Sequence, residues 1–300
     1  MPLWFIFSSL LMWRTLSKLR DVDRRWLYAG AAVVLLIPLV VPMSISGATV
    51  SPATRGVWNA IESCPPDKVI VVDSSWGPGS APENRAQLEC VVRHLCRRGV
   101  KFVVTSIGID PFAPQFADRT IEPLAAAAGY QYGRDWVNLG YVPGPPPGAR
   151  GAGLGVIIES LCRDVHRTLP RDAHGAPVGE LALMQRVRSH ANIHLFCCIT
   201  YQADDDWLSV IHGVFGGRLA VGCMSIVGPY FYPFLDSGQL VGMLIGNRGA
   251  AEYELLLGAP GRGTRLTMAG SFGNLAIIAA ALLGNLGWYA ARRVRRGAAA

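Results

Sequence analysis

The stretch best suited to chemistry runs from Asp73 to Ser80 and reads DSSWGPGS. It follows the apolar run Lys68–Val72, which predicts a buried strand, and precedes a helix predicted over 81–98. A glycine-rich turn between strand and helix can direct backbone N–H groups at an anion, and Trp76 can stack on a ring. The stretch lacks G-x-G-x-x-G and the lysine of a phosphate loop, which disfavours a nucleotide. The structural alternative is a capped turn with an exposed aspartate.

Polar residues also follow the other predicted strands. Parallel strands deliver their following loops to one edge of a sheet, where ligands bind in α/β proteins. The residues that we expect to bind a ligand at this edge are Asp73, Ser74, Ser75, Trp76, Asp110 and Tyr201. All of them except Ser74 are expected to line one concavity. The alternative is that these turns have their polar composition for backbone reasons alone.

A hydrolase is the second functional hypothesis. Ser74 and Ser75 lie at a predicted strand end, where a nucleophile could be presented, although the chain has no G-x-S-x-G. The histidines that stand where a base could lie are His166, His174, His190, His194 and His212. No motif relates them to either serine, so the catalytic residues of such an enzyme are unknown.

The sequence offers little to a metal or a cofactor. The run Asp204–Asp206 lacks EF-hand spacing and is better explained as the acidic start of a helix. None of the seven cysteines forms a C-x-x-C pair, and the adjacent Cys197 and Cys198 must point to opposite faces of a strand. Their odd number and apolar surroundings favour buried free thiols over disulfides. We predict no metal site and no cofactor.

The elements that position these residues have an α/β pattern. Five apolar runs predict strands: Lys68–Val72, Lys101–Ile107, Tyr132–Val142, His194–Thr200 and Leu219–Val227. Amphipathic segments between and after them predict helices. They are 81–98, 111–128 with Asp110 as its cap, 156–169, 180–189, 207–214, and a stretch from 236 to about 257 that is broken near 246–249. This alternation predicts a Rossmann-like three-layer domain with a mostly parallel sheet over residues 49–265.

Two apolar segments flank this domain and are expected to cross a membrane. Trp26–Met43 carries no charge over 18 residues, and Leu266–Ala291 is a second uncharged run. Basic residues precede the first and follow the second, which predicts cytoplasmic termini and an extracytoplasmic domain. The predicted parts are an N-terminal segment (1–25), a first span (26–48), the domain (49–265), a second span (266–291) and a basic tail (292–300). A leader cleaved near Ala48 is the alternative.

The net charge of +7 is confined to the ends of the chain. Residues 1–48 hold five basic and two acidic residues, residues 266–300 hold four arginines and no acid, and the 19 basic and 19 acidic residues between cancel. The flanks of membrane spans carry such an excess, so membrane lipid is the expected partner and nucleic acid is not.

Small residues recur every fourth position in the second span, at Ala276, Ala280 and Gly284. Such a stripe lets membrane helices approach closely, so we expect contacts with other membrane-protein subunits or a second copy. The leading hypothesis is a membrane-anchored extracytoplasmic ligand-binding or interaction subunit of a membrane assembly. The alternative is a membrane-tethered extracytoplasmic hydrolase with a strand-end Asp/Ser site.

Overall fold

The computed structural model describes residues 22–41, 49–108, 110–143, 152–203 and 205–298, with 13, 15, 16 and 18 before them. The chain forms two compact units, one from residues 1–43 with 265–300 and the other from residues 44–264. The elements in chain order are α1 (Arg24–Val40), α2 (Pro52–Glu62), β1 (Val69–Ser75), α3 (Ala81–Arg98), β2 (Phe102–Gly108), α4 (Ala113–Ala127), β3 (Trp136–Pro143), α5 (Ala152–Arg163), α6 (Val165–Thr168), β4 (Ile193–Thr200), a π-helix (Leu208–Val214), β5 (Leu219–Cys223), α7 (Gly228–Asp236), β6 (Gly242–Ile245), α8 (Gly246–Leu257) and α9 (Arg262–Ala298).

The central unit is a Rossmann-like α/β domain, as the sequence predicts. Its six described strands are all parallel, in the order β3-β2-β1-β4-β5-β6. The direction of winding reverses between β1 and β4, which makes the crevice beyond their carboxyl ends the topological switch point. Ser75 of β1 pairs with Thr200 of β4 at this point.

The core consists of two apolar clusters, one on each face of the sheet. Alternation along β1 directs Val69 and Val71 to one cluster and Ile70 and Val72 to the other. Strands covered on both faces must be apolar throughout, which explains why β1 is detectable in the sequence as an unbroken apolar run.

Two predicted helices are wrong. The segment expected to be helical over 180–189 contains 3-10 turns at Val178–Glu180 and Met184–Arg186. The segment expected to be helical over 236–257 contains strand β6, and only its second half is the helix α8. The strand has four residues, too few for its pairing with β5 to be recognised from a local pattern.

Within the described residues, α9 is the one helix long and apolar enough to cross a membrane, over Arg262–Arg296. Helix α1 has 17 residues, fewer than the roughly 20 that a bilayer requires. The end of the predicted first span, from residue 42 to 48, lies outside the described residues. The structure therefore supports one candidate span where the sequence predicts two.

The small residues of α9 differ in what they contact. A Cβ atom added at Gly273 would lie 2.9 Å from Leu35 of α1, whereas one added at Gly284 would have no neighbour within 4 Å. Ala280 is exposed. Helix α1 therefore packs against α9 at Gly273, which precedes the stripe of Ala276, Ala280 and Gly284, and its described residues do not reach Gly284.

Candidate functional site

A small concavity lies beyond the carboxyl ends of β1, β2 and β4, at the switch point of the sheet. Three predicted site residues share its wall: Ser75, Asp110 and Tyr201. The other residues of the wall are Ser106, Gly108, Ala113 and Gln202. Its volume is about 10 Å³, which is room for about one water molecule. The topology thus brings together side chains that are up to 126 positions apart.

Asp73 lies beside this concavity in the core, where it is 1% exposed. Its Oδ1 accepts hydrogen bonds of 3.0 Å from Thr105 Oγ1 and from the backbone N–H of Ile107. Its Oδ2 lies 2.5 Å from Ser75 Oγ. Burial raises the pKa of Asp73 to about 7, even though these hydrogen bonds act in the opposite direction. Asp73 therefore changes its protonation state near neutral pH.

The hydroxyl group of Ser106 is the polar group of the wall that the protein leaves unpaired. The side chain is 1% exposed, and its oxygen has no hydrogen-bond partner among the described residues. More than nine in ten buried polar groups are paired in folded proteins, and exceptions often mark a place for a water, an ion or a ligand.

Asp110 supplies a carboxylate that forms no ion pair with a described residue. Its Oδ1 accepts a 2.9 Å hydrogen bond from the N–H of Phe112. A Cβ atom added at Gly77 would lie 2.0 Å from its Oδ2, so the absence of a side chain at Gly77 allows the carboxylate to approach the β1–α3 turn. The two loops that border the concavity are thereby packed together.

Two tyrosines complete the surroundings of the concavity. Gln202 Nε2 donates a 3.4 Å hydrogen bond to Tyr201 Oη. Tyr141 Oη donates a 2.8 Å hydrogen bond to the carbonyl of Gly108. The pKa of Tyr141 is raised by burial and by its proximity to Asp110 and Tyr201, so its hydroxyl stays protonated at neutral pH.

The predicted residues Ser74 and Trp76 are fully buried and are not part of the wall. Trp76 stacks on Phe116 of α4, with ring centroids 5.8 Å apart. The hydroxyl of Ser74 has no hydrogen-bond partner among the described residues. Their contacts are those of residues that support the turn. The ligand-binding role expected for both from the sequence is untested, and the proposed site does not include them.

Buried amides of α3 occupy the strand ends on the other side of the switch point. Gln87 Nε2 lies 2.8 Å from the carbonyl of Cys223 and 3.1 Å from that of Leu244. Asn84 Nδ2 donates to the carbonyl of Thr200 at 3.1 Å. These amides fasten the ends of β4, β5 and β6 to α3 and fill the crevice there.

The structure forms no Ser-His pair at the strand-end serines. Among the described residues, no histidine is within hydrogen-bonding distance of Ser74 or Ser75. His94, for example, lies between Tyr253 Oη at 2.6 Å and Glu62 Oε1 at 3.0 Å, in the helical layer.

The structure also shows the state of the cysteines and whether side chains that could bind a metal lie together. All seven cysteines are free, and six of them are buried. Within the described part of the chain, no cluster of three or more His, Cys, Asp or Glu side chains could hold a metal ion.

No protein-family model, curated protein or solved structure matches this chain. The chemistry of the site is therefore inferred from its own geometry.

Proposed function

We propose that this chain is a membrane-anchored binding subunit whose extracytoplasmic α/β domain holds a small polar ligand at the strand-end concavity. The observation that carries the proposal is the buried hydroxyl of Ser106 in the same wall as the carboxylate of Asp110. Among the described residues, the hydroxyl has no hydrogen-bond partner and the carboxylate has no ion-pair partner. Unpaired polar groups at the switch point of a parallel sheet are what a ligand site provides.

The polarity of the wall indicates which ligand group enters it. Among the described residues, the wall includes no lysine, arginine or histidine. Asp110 accepts hydrogen bonds only, and a negatively charged group beside it would be repelled. We propose that a single hydroxyl or ammonium group of the ligand takes the place of a water molecule, while the rest of the ligand lies at the mouth.

The proposed anchoring rests on α9 and on the charges at both ends of the chain. We propose that the segment 26–48, to which most of α1 belongs, forms a second span, with both termini in the cytoplasm. Reporter fusions after Gly151 and after Ala300 test this topology. We expect the reporter fused after Gly151 to be extracytoplasmic and the reporter fused after Ala300 to be cytoplasmic. A cytoplasmic reporter after Gly151 would exclude the two-span topology.

Assembly with other subunits is proposed from the part of α9 that α1 does not cover. Ala276 is partly exposed, Ala280 is exposed, and Gly284 has open space where a side chain would be. A second copy of the chain or another membrane protein would pack against these three residues, with lipid around the rest.

The hydrolase hypothesis retains one specific observation, the 2.5 Å contact between Ser75 Oγ and Asp73 Oδ2. An ionised Asp73 could accept the proton of Ser75 and make it a nucleophile. A fluorophosphonate probe tests this alternative. Labelling of the wild type that is lost in Ser75→Ala would favour an enzyme, and no labelling would favour binding alone.

A ligand screen tests the binding proposal on the full-length protein in detergent. We expect small polyols or amines to raise the melting temperature of the wild type and of Ser74→Ala, but not of Ser106→Ala or Asp110→Asn. Ser74→Ala is a matched control, because it removes a buried, unpaired hydroxyl from the neighbouring strand outside the wall. Equal shifts in all four proteins would exclude this concavity as the binding site.

A further inference from the structure

A second and much larger cavity lies beyond the carboxyl ends of β5 and β6. Its volume is about 600 Å³, which is within the range of sites for small organic molecules. The first turn of α2, helix α7 and the first turns of α8 form its sides. It shares no lining residue with the strand-end concavity.

Part of the lining of this cavity is apolar. The apolar lining residues are Pro52, Ala53, Tyr232, Leu235, Met243 and Ile245. A hydrocarbon group placed against them would be removed from water, which favours binding.

Arg248 supplies a positive charge to the cavity. Its side chain is 79% exposed, and its Nε donates a 3.0 Å hydrogen bond to Glu252 Oε1. The two terminal nitrogens of the guanidinium make no hydrogen bond to a described residue. They are free to donate to an anionic group in the bidentate geometry that arginine favours.

Glu252 does not need a ligand. Its Oε2 accepts hydrogen bonds from the N–H of Ser51 at 2.9 Å and from Thr54 Oγ1 at 3.0 Å. Burial raises its pKa, but the hydrogen bonds from Ser51, Thr54 and Arg248 outweigh burial and the pKa is lowered overall. Glu252 is thus ionised at neutral pH, and Arg248 balances its charge.

Asp236 supplies a carboxylate that nothing in the described structure pairs. It is exposed at the carboxyl end of α7 and forms no hydrogen bond or ion pair with a described residue, including Arg248. A negative charge at a helix carboxyl end is repelled by the helix dipole, so Asp236 gains nothing from its position in the helix.

We propose that this cavity binds a small zwitterion with an apolar arm. Its anionic group contacts the terminal nitrogens of Arg248, its cationic group contacts Asp236, and its hydrocarbon arm lies against Leu235 and Ile245. A simple anion would face the unpaired carboxylate of Asp236, and a simple cation would leave the two terminal nitrogens of Arg248 without an acceptor, so a zwitterion satisfies both groups. Two sources have this chemistry, a free amino acid and the headgroup of a zwitterionic lipid.

Calorimetric titration of the detergent-purified full chain tests the charge requirement. The probes are leucine, leucinamide, which lacks the anionic group, and N-acetylleucine, which lacks the cationic group. We expect leucine to bind at least about tenfold more tightly than either analogue. Arg248→Gln and Asp236→Asn should each weaken the binding of leucine by about tenfold. Glu122→Gln, which changes an exposed acid outside the cavity, should leave the binding of leucine unchanged.

A second experiment, with lipid, distinguishes a free amino acid from a lipid headgroup. The protein is placed in nanodiscs that contain phosphatidylethanolamine and phosphatidylglycerol, and the retained lipid is identified by native mass spectrometry. Retention of phosphatidylethanolamine that Asp236→Asn abolishes assigns the cavity to a lipid headgroup, and leucine binding without such retention assigns it to a free zwitterion.

Arg248→Lys is a second variant for the case in which Arg248→Gln does not fold, because it keeps the positive charge beside Glu252. A variant with an unchanged melting temperature is taken as folded. The proposal is overturned if neither the calorimetric nor the lipid experiment shows a preference for the zwitterion. It is also overturned if Arg248→Gln and Asp236→Asn are both folded and bind the zwitterion as tightly as the wild type does. Neither result depends on the strand-end concavity.

Discussion

The hydroxyl oxygen of Ser75 lies 2.5 Å from Asp73 Oδ2 and 2.6 Å from the carbonyl oxygen of Ile107. A serine has one hydroxyl proton and can donate it to only one of these acceptors. Both contacts are hydrogen bonds if Asp73 carries a proton, which it donates to Ser75 while Ser75 donates to Ile107. The raised pKa of Asp73 is consistent with this chain. Asp73 is therefore a neutral acid below about pH 7.

The protonation of Asp73 makes stability depend on pH. Its pKa is raised from 3.8 to about 7 in the folded protein, so between these values the folded chain holds a proton that the unfolded chain has released. The contribution of Asp73 to stability is complete below about pH 4 and is lost as the pH rises to about 7, at no more than about 1.4 kcal/mol per pH unit.

Asp73→Asn removes this titration and isolates it from that of other groups. We expect the free energy of unfolding of the wild type, minus that of Asp73→Asn, to be larger at pH 5 than at pH 8. Urea unfolding in detergent at the two pH values measures it. The same difference at both pH values would show that Asp73 is already ionised at pH 5 in the folded protein.

The unpaired hydroxyls of Ser74 and Ser106 should each be dispensable for stability. A buried hydroxyl without a partner has lost its bonds to water and gained none, so Ser74→Ala and Ser106→Ala should leave the unliganded protein as stable or about 1 kcal/mol more stable. Thermal unfolding checks this. A loss of more than about 2 kcal/mol in either variant would show that its hydroxyl is paired, for example by a bound water.

Gly77 should be needed for the position of Asp110. The methyl group in Gly77→Ala would lie 2.0 Å from Asp110 Oδ2 and must displace it; because this oxygen is the end of a side chain that can rotate, we expect a loss of about 1 kcal/mol. Gly79→Ala in the same turn is the matched control, because its methyl group meets nothing within 4 Å and should change stability by less than about 0.5 kcal/mol. Chemical unfolding of the pair measures the difference, and equal stabilities would contradict the packing of the two loops.

Gly284 should be needed for assembly in the membrane. Gly284→Ile adds bulk at a position that is open in the single chain, so it should leave the monomer folded and weaken association by about 1 kcal/mol or more. Crosslinking in native membranes measures association. Monomer alone in the wild type, or crosslinks that Gly284→Ile does not reduce, would remove the support for an assembly.

The sequence predicts the part of the fold that depends on local patterns. Strand β1 is predictable because burial on both faces requires an apolar run, and the convergence of Ser75, Asp110 and Tyr201 follows from the parallel order of their strands. Strand β6 is missed because four residues give no recognisable period.

The remaining parts of the site depend on contacts between distant residues. Ser106 becomes part of the wall through the pairing of β2 in the sheet, and Gln87 reaches the strand ends only because α3 packs across them. Ser106 is recognisable in the sequence as a polar residue at the end of a predicted strand, but its unpaired state is not, and no spacing marks Gln87. The cavity around Arg248 and Asp236 likewise forms only when α2, α7 and α8 meet.

Calorimetry on the wild type and four variants tests ligand binding at the strand-end concavity most directly. It measures the dissociation constant of a ligand found in the screen. We predict that Asp110→Asn and Ser106→Ala weaken binding by about tenfold, equivalent to about 1.4 kcal/mol each, while Ser74→Ala and Glu122→Gln change it less than about twofold. Equal dissociation constants for the wild type, Asp110→Asn and Ser106→Ala would contradict binding at this concavity.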